Sequence, residues 1–191
     1  MRTKTVIFAI ILFNLLLVSC NRTTIKSIHV LFYGGTFEST IPTDCDNMKE
    51  GISPSKALAA MKENPFEYFL NSEPILDTTI TNPIVLFEIA KELKNLQSEP
   101  ANFPVDARIS CTIKYKNGKE EKLCIGGGYH WVNAIDYCGV RQKQNNHLLY
   151  LIKQNIGYYS WMSDRVLEYS EELQDNSFKR DSVVGRSGRG F

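Results

Sequence analysis

Cysteine and histidine are the residue types in this sequence that could carry out covalent chemistry. The 191 residues include five cysteines and three histidines. A thiol enzyme needs a cysteine beside a histidine, with a third group that orients the imidazole. His130 lies eight residues before Cys138, a spacing that matches no catalytic motif. A hydrolase that uses Cys138, or another thiol, with a histidine is therefore kept as an alternative function rather than as the leading one.

The four cysteines after residue 40 are candidates for disulfide bonds. They are Cys45, Cys111, Cys124 and Cys138. In an exported protein an even number of cysteines indicates disulfides, and four cysteines allow three pairings. None of the spacings is C-x-x-C, so neither a thioredoxin-type redox site nor a zinc site is indicated. We predict structural roles for these thiols, and no metal or cofactor.

Two further groups of residues are weak candidates for ligand binding. The glycines at 126–128 lack the lysine and the strand-loop-helix frame of a phosphate-binding loop, so they predict a turn at a sheet end. Asp44, Asp46 and Glu50 lack the ligand density and the mid-loop glycine of a calcium loop. We interpret these acids as solvated loop residues.

Aromatic residues between positions 129 and 161 are the best candidates for a recognition surface. They are Tyr129, Trp131, Tyr137, Tyr158, Tyr159 and Trp161. Aromatic side chains supply rigid contact area with a polar tip and are enriched at binding surfaces. They are equally ordinary in cores, which is the favoured interpretation. The binding hypothesis assigns Tyr129, Trp131 and Trp161 to a face for a protein or glycan ligand.

The first twenty residues have the pattern of an export signal. Arg2 and Lys4 give a basic start, and an apolar run of about thirteen residues extends from Val6 to Val18. A membrane-spanning helix needs about 20 apolar residues. A basic start followed by a shorter apolar run is typical of a secretory signal peptide. We therefore predict export from the cytoplasm.

The end of this segment, Leu17-Val18-Ser19-Cys20, resembles the lipobox of bacterial lipoproteins. The resemblance implies that the Cys20 thiol receives a diacylglyceryl group and that cleavage occurs just before Cys20. Two or three acyl chains give lasting membrane attachment, whereas one chain binds only marginally. The protein would then face the periplasm or the cell exterior. The alternatives are an ordinary cleaved signal peptide or a short membrane anchor, in which Cys20 has no role.

The charge of the remaining chain is close to neutral. Cleavage before Cys20 removes Arg2 and Lys4 and leaves 172 residues, with 20 basic and 21 acidic side chains. Such a chain has no strong field to attract nucleic acid, and its length suits one domain. The membrane, reached through the lipid, is thus the one partner that the sequence implies directly.

Helix caps and strand patterns outline this domain. Ser53-Pro54 and Asn82-Pro83 predict helix starts, and Asn145 or Asn146 predicts a third. After Pro83, apolar residues recur at helical spacing up to Leu96. Residues 28–33 and 75–81 predict strands. Residues 163–173 predict a last helix.

The clearest hairpin spans residues 108–125, with Asn117-Gly118 at its tip. A two-residue turn would pair Cys111 with Cys124, whereas a type I turn with a bulged glycine pairs Ile109 with Ile125 and Cys111 with Leu123. A slip of one residue turns every side chain to the other face of the sheet, so the match of apolar residues decides the register. The second register is favoured, and it disfavours a Cys111–Cys124 disulfide.

These elements predict an α+β fold in which a mostly antiparallel sheet has helices packed on one face. The predicted organisation is a signal peptide over residues 1–19, a lipidated tether over 20–27, one domain over 28–173 and a disordered tail over 174–191. The predicted function is that of a membrane-tethered, extracytoplasmic lipoprotein that is a binding or envelope-structural module rather than an enzyme.

Overall fold

The structure, a computed structural model, describes residues 24–34, 43–63, 75–101, 103–127 and 132–182. These residues form an α+β fold built on one six-stranded sheet in which every pair of neighbouring strands is antiparallel. The order of strands across the sheet is β2-β1-β3-β4-β5-β6. Their bounds are Ile25–Tyr33, Ile75–Ile80, Ala107–Tyr115, Glu120–Gly126, Ala134–Tyr137 and Val140–Gln142 for β1 to β6.

The β3–β4 hairpin has the register that its apolar pattern predicts. Ile109 lies opposite Ile125, and Cys111 lies opposite Leu123. Gly118 has a φ of 84°, a backbone conformation that glycine adopts without a steric penalty. The prediction that the match of apolar residues sets this register is confirmed, and Cys124 points to the face opposite Cys111.

Five helices complete the described fold, and capping residues begin the longest of them. Asn82 accepts hydrogen bonds from the backbone N–H groups of Ile84 and Val85 at the start of α2, and Asn145 accepts one from Leu148 at the start of α3. These bonds satisfy amides that a helix start leaves without partners. The helices are α1 Pro54–Glu63, α2 Pro83–Lys94, α3 Asn146–Asn155, α4 Asp164–Leu167 and α5 Glu171–Gln174.

The main core lies on one face of the sheet, beneath the helices. Alternate residues of β1, β3 and β4 point into it, because side chains on a strand face opposite sides in turn. The fully buried members include Ile28, Val30, Phe32, Ile109, Ile113, Leu123 and Ile125 from the strands and Ile89, Leu148, Leu149 and Ile152 from the helices. A smaller cluster of Leu31, Cys45, Met48 and Ala107 lies on the other face.

The observed bounds of one strand and one helix differ from the predicted ones. Strand β1 begins at Ile25 rather than at residue 28, and Ile25 is buried, so the strand takes in part of the predicted tether. The predicted helix over residues 163–173 is two short helices, α4 and α5. Residues 174–182, assigned to the tail, lie against the domain, where Phe178 stacks on His147 with ring centroids 4.6 Å apart.

Within the described ranges, no helix is long and apolar enough to cross a membrane.

Candidate functional site

Several residues singled out in the sequence lie outside the described residues. They are Cys20, the predicted site of lipidation, the aromatic residues Tyr129 and Trp131, and His130. The glycine run is described in part: Gly126 ends β4, and a Cβ there would come within 2.0 Å of the Asp106 carbonyl oxygen. Glycine is therefore needed at that position for close backbone packing.

The four cysteines of the domain form one disulfide and leave two free thiols. Cys45 is bonded to Cys124 across 79 residues of sequence, with their Cα atoms 6.0 Å apart. Because Leu123 and Ile125 face the helices, Cys124 faces the opposite side of the sheet. A 3₁₀ turn over Cys45–Asn47 lies there and brings Cys45 to it.

The two remaining disulfide candidates differ in accessibility. Cys111 is fully buried in the main core, and burial raises the pKa of its thiol to about 12. A protonated thiol in such surroundings is a poor nucleophile. Cys138 is exposed, directly after β5, with a φ of 51°. It is the one exposed free thiol among the described residues.

Trp161, the described member of the hypothetical binding face, lies in the core, which is the interpretation that the sequence analysis favoured. Only 5% of its surface is exposed, and its ring lies against Gly34, next to Leu76. Tyr158 and Tyr159 of the same 3₁₀ segment are buried too. A recognition platform requires exposed rings, so these three residues pack the fold rather than meet a ligand.

The two described histidines each bond to a carboxylate. His29 Nε2 lies 2.8 Å from Asp77 Oδ1, across neighbouring strands β1 and β2. His147 Nδ1 lies 3.0 Å from Glu92 Oε1, linking α3 to α2. Neither contact involves a cysteine, and both tie secondary-structure elements together.

A cavity of about 350 Å³ lies beside the disulfide, on the sheet face that the helices leave open. Its lining includes Asp44, Asp46, Lys122 and Asp136. The charged groups already have partners: Lys122 binds Asp46, and Arg141 Nε binds Asp136 at 2.5 Å. Asp44 Oδ1 accepts the Asp46 backbone N–H, which caps the 3₁₀ turn. Across the described ranges, no three acidic, histidine or cysteine side chains are grouped as metal ligands would be.

Glu121 anchors a polar cluster at the edge of the helix-covered face. The hydroxyl groups of Tyr115 and Tyr137 both donate to Glu121 Oε2, and Lys119 donates to its other oxygen. Burial alone would raise the pKa of Glu121, but these three donors hold it below its ordinary value. Burial, with the Glu121 carboxylate, raises the pKa of Tyr115 to about 12. The neutral tyrosines and the charged carboxylate thus satisfy one another.

A groove of about 500 Å³ lies between α2 and the end of the sheet where β1 begins. Four exposed lysines line it, together with Phe87, which is 66% exposed. The lysines are Lys26, Lys91, Lys94 and Lys116. We call this surface the basic groove. Lys91 and Lys94 lie on the exposed side of α2, as charged residues of a surface helix do. The signal in the sequence for a surface site is Ile84 and Phe87, two large apolar residues that α2 also exposes.

No protein-family model, curated protein or solved structure matches this chain.

Proposed function

We propose that this protein is a lipid-anchored, extracytoplasmic module that binds a partner or supports the cell envelope and does not act as an enzyme. The observation that carries the proposal is a lipobox-like sequence at Cys20 on a chain whose folded domain contains the Cys45–Cys124 disulfide. Disulfides persist in oxidising compartments and are rare in the cytoplasm. The export-like signal and the disulfide are independent features, and both favour a location outside the cytoplasm.

The bonding of the reactive groups favours binding or structure over catalysis. His29 and His147 bond to Asp77 and Glu92, and Glu121 receives three donors. Each pair joins separate elements of the fold, as structural polar contacts do. The ligand that we propose is a protein or a glycan.

Replacing Cys20 with serine tests the anchor in the cells that make the protein. The Cys20→Ser variant should incorporate no labelled palmitate and should leave the membrane fraction, because serine offers no thiolate for alkylation. The matched control is Cys138→Ser, which removes the exposed free thiol of the folded domain and should keep both label and membrane attachment. Full palmitate incorporation by Cys20→Ser would overturn the proposal.

A thiol hydrolase is the second candidate, and the exposed thiol of Cys138 is the observation that favours it. The hypothesis pairs Cys138 with His130. An activated nucleophile should react with iodoacetamide at least tenfold faster in the folded protein than in the urea-unfolded protein, and His130→Ala should remove that difference. The binding proposal predicts equal or slower reaction in the folded protein.

A further inference from the structure

We propose that the basic groove rests on an anionic lipid surface, so that the domain lies against the membrane in one fixed orientation. This inference rests on the proposed lipid anchor at Cys20 and adds to it a contact made by the folded domain. The occupant is a lipid bilayer that carries negatively charged headgroups. Three observations carry it: where the described part of the chain begins, the charge of the groove, and two exposed apolar residues of α2, of which Phe87 lines the groove.

The first described residues of the chain lie at the basic groove itself. Thr24 and Ile25 line the groove, and the Thr24 carbonyl oxygen accepts a hydrogen bond of 3.0 Å from the Lys116 backbone N–H. Three residues lie between Cys20 and Thr24, so the chain takes four Cα-to-Cα steps from one to the other and spans at most about 14 Å when fully extended. An acylated Cys20 would therefore hold this end of the domain within one short tether of the bilayer.

The charged residues that line the basic groove are all lysines. Lys26, Lys94 and Lys116 form no ion pair with any described residue, and Lys91 bonds only to Glu88, at 3.3 Å. The chain after cleavage would carry a formal net charge near −1, so the four lysines are a local feature rather than a reflection of overall charge. Lysines beside an anionic bilayer attract it over about a Debye length.

Two large apolar side chains accompany the lysines. Ile84 is 74% exposed and Phe87 is 66% exposed, one helical turn apart on α2. Neighbouring residues on that helix, Leu86 and Ile89, are buried in the core. Lysines beside exposed Phe and Ile on one helix face are typical of surfaces that insert shallowly at the boundary of headgroups and acyl chains.

Tryptophan placed at position 87 reports whether the groove touches lipid. The acylated Phe87→Trp protein is reconstituted into vesicles of phosphatidylcholine, with or without phosphatidylglycerol, and quenching by brominated acyl chains is measured against the unsubstituted protein. The matched control is Phe103→Trp, since Phe103 is 79% exposed and precedes β3, whereas Lys116 follows the other end of that strand. The proposal expects that the fluorescence of the tryptophan at position 87 is quenched, and more strongly when phosphatidylglycerol is present. The tryptophan at position 103 should not be quenched.

Charge neutralisation separates docking from simple tethering. Adding Lys91→Gln and Lys94→Gln to Phe87→Trp should lower the ratio of docked to undocked domain by roughly tenfold or more, as should high salt. Acylation of Cys20 is confirmed by mass on the same sample. Acylated protein with position 87 unquenched overturns docking and leaves the anchor standing, whereas protein without acyl groups overturns both. In the absence of lipid, the emission of the tryptophan at position 87 should not depend on protein concentration. A blue shift of that emission with rising protein concentration would assign the groove to self-association and overturn docking.

Discussion

Removing the Cys45–Cys124 disulfide should lower the free energy of unfolding by about 4 kcal/mol. The bond closes a loop of 79 residues, and a long loop loses more conformational freedom in the unfolded chain when it is closed. The loss should be seen as a lower urea midpoint for the double variant Cys45→Ala and Cys124→Ala. Alanine is chosen because Cys45 is buried, and a serine hydroxyl there could lack a partner.

The matched control for this loss is Cys138→Ala, which removes an exposed free thiol and should change stability by less than about 0.5 kcal/mol. Treating the unsubstituted protein with a reductant should reproduce the loss, while the same reductant should leave the double variant unchanged. A double variant within 1 kcal/mol of the unsubstituted protein would show that the bond contributes little to the fold.

Replacing Glu172 with alanine should destabilise the domain by about 3–5 kcal/mol, because it leaves the buried Lys153 ammonium without its counter-ion. Lys153 and Glu172 are 2% and 1% exposed, and Lys153 Nζ lies 2.6 Å from Glu172 Oε1. The Tyr159 hydroxyl donates to the same oxygen at 3.1 Å. Burial lowers the pKa of Lys153, and the Glu172 carboxylate opposes that shift.

The control for the buried pair is the exposed pair of Glu88 and Lys91 on α2. Glu88→Gln should change stability by less than about 1 kcal/mol, since solvent screens exposed ion pairs. The triple variant Lys153→Met, Glu172→Leu and Tyr159→Phe should recover most of the loss, because it removes every buried polar partner together. Equal losses of stability in Glu172→Ala and Glu88→Gln would contradict the assignment of the buried pair.

Hydrogen exchange gives a second readout. In the Glu172→Ala variant, the backbone amides of residues 163–182 should exchange before those of the rest of the domain.

Much of the fold could be predicted because local chemistry agrees with the final packing. The apolar pattern of residues 109–125 allowed one good register, and the structure has it. Asn82 marked one helix start, and Asn145 or Asn146 another, because asparagine side chains satisfy free amides at such positions; the structure has Asn82 and Asn145 as the caps. The antiparallel sheet with helices on one face follows from these elements.

The partner of Cys124 could not be predicted, because Cys45 lies in a loop without periodicity. Its place over the sheet depends on packing of Met48 and Cys45 against Leu31 and Ala107, a set of contacts between distant parts of the chain. Sequence pattern shows which face a residue on a strand occupies, but not which loop covers that face.

The prediction of a single helix over residues 163–173 is wrong, because Glu172, a charged residue, is buried. In one continuous helix, Val166 and Glu172 would project roughly 120° apart around the axis, too far apart for both side chains to be fully buried against one core. The turn between α4 and α5 lets Val166 and Glu172 both be buried. A polar pattern predicts solvent exposure, and Glu172 is buried only because Lys153 and Tyr159 meet it there.

The aromatic residues show the same limit at the candidate site. Trp161 has the residue type of a recognition platform, and only its neighbours Gly34 and Leu76 show that it fills the core. The basic groove, by contrast, comes from three separate parts of the chain: residues 24–26, α2 and the tip of the β3–β4 hairpin. No local pattern could have placed these together.

Peptide mass spectrometry under non-reducing conditions, on protein taken from its native membrane with free thiols alkylated first, tests the lipid-anchored assignment most directly. The account predicts an N-terminal peptide that begins at acylated Cys20, a linked Cys45–Cys124 peptide, and alkylation of Cys138 without denaturant but of Cys111 only after unfolding. An N-terminal peptide that retains residues before Cys20, or that begins at an unmodified Cys20, would contradict it.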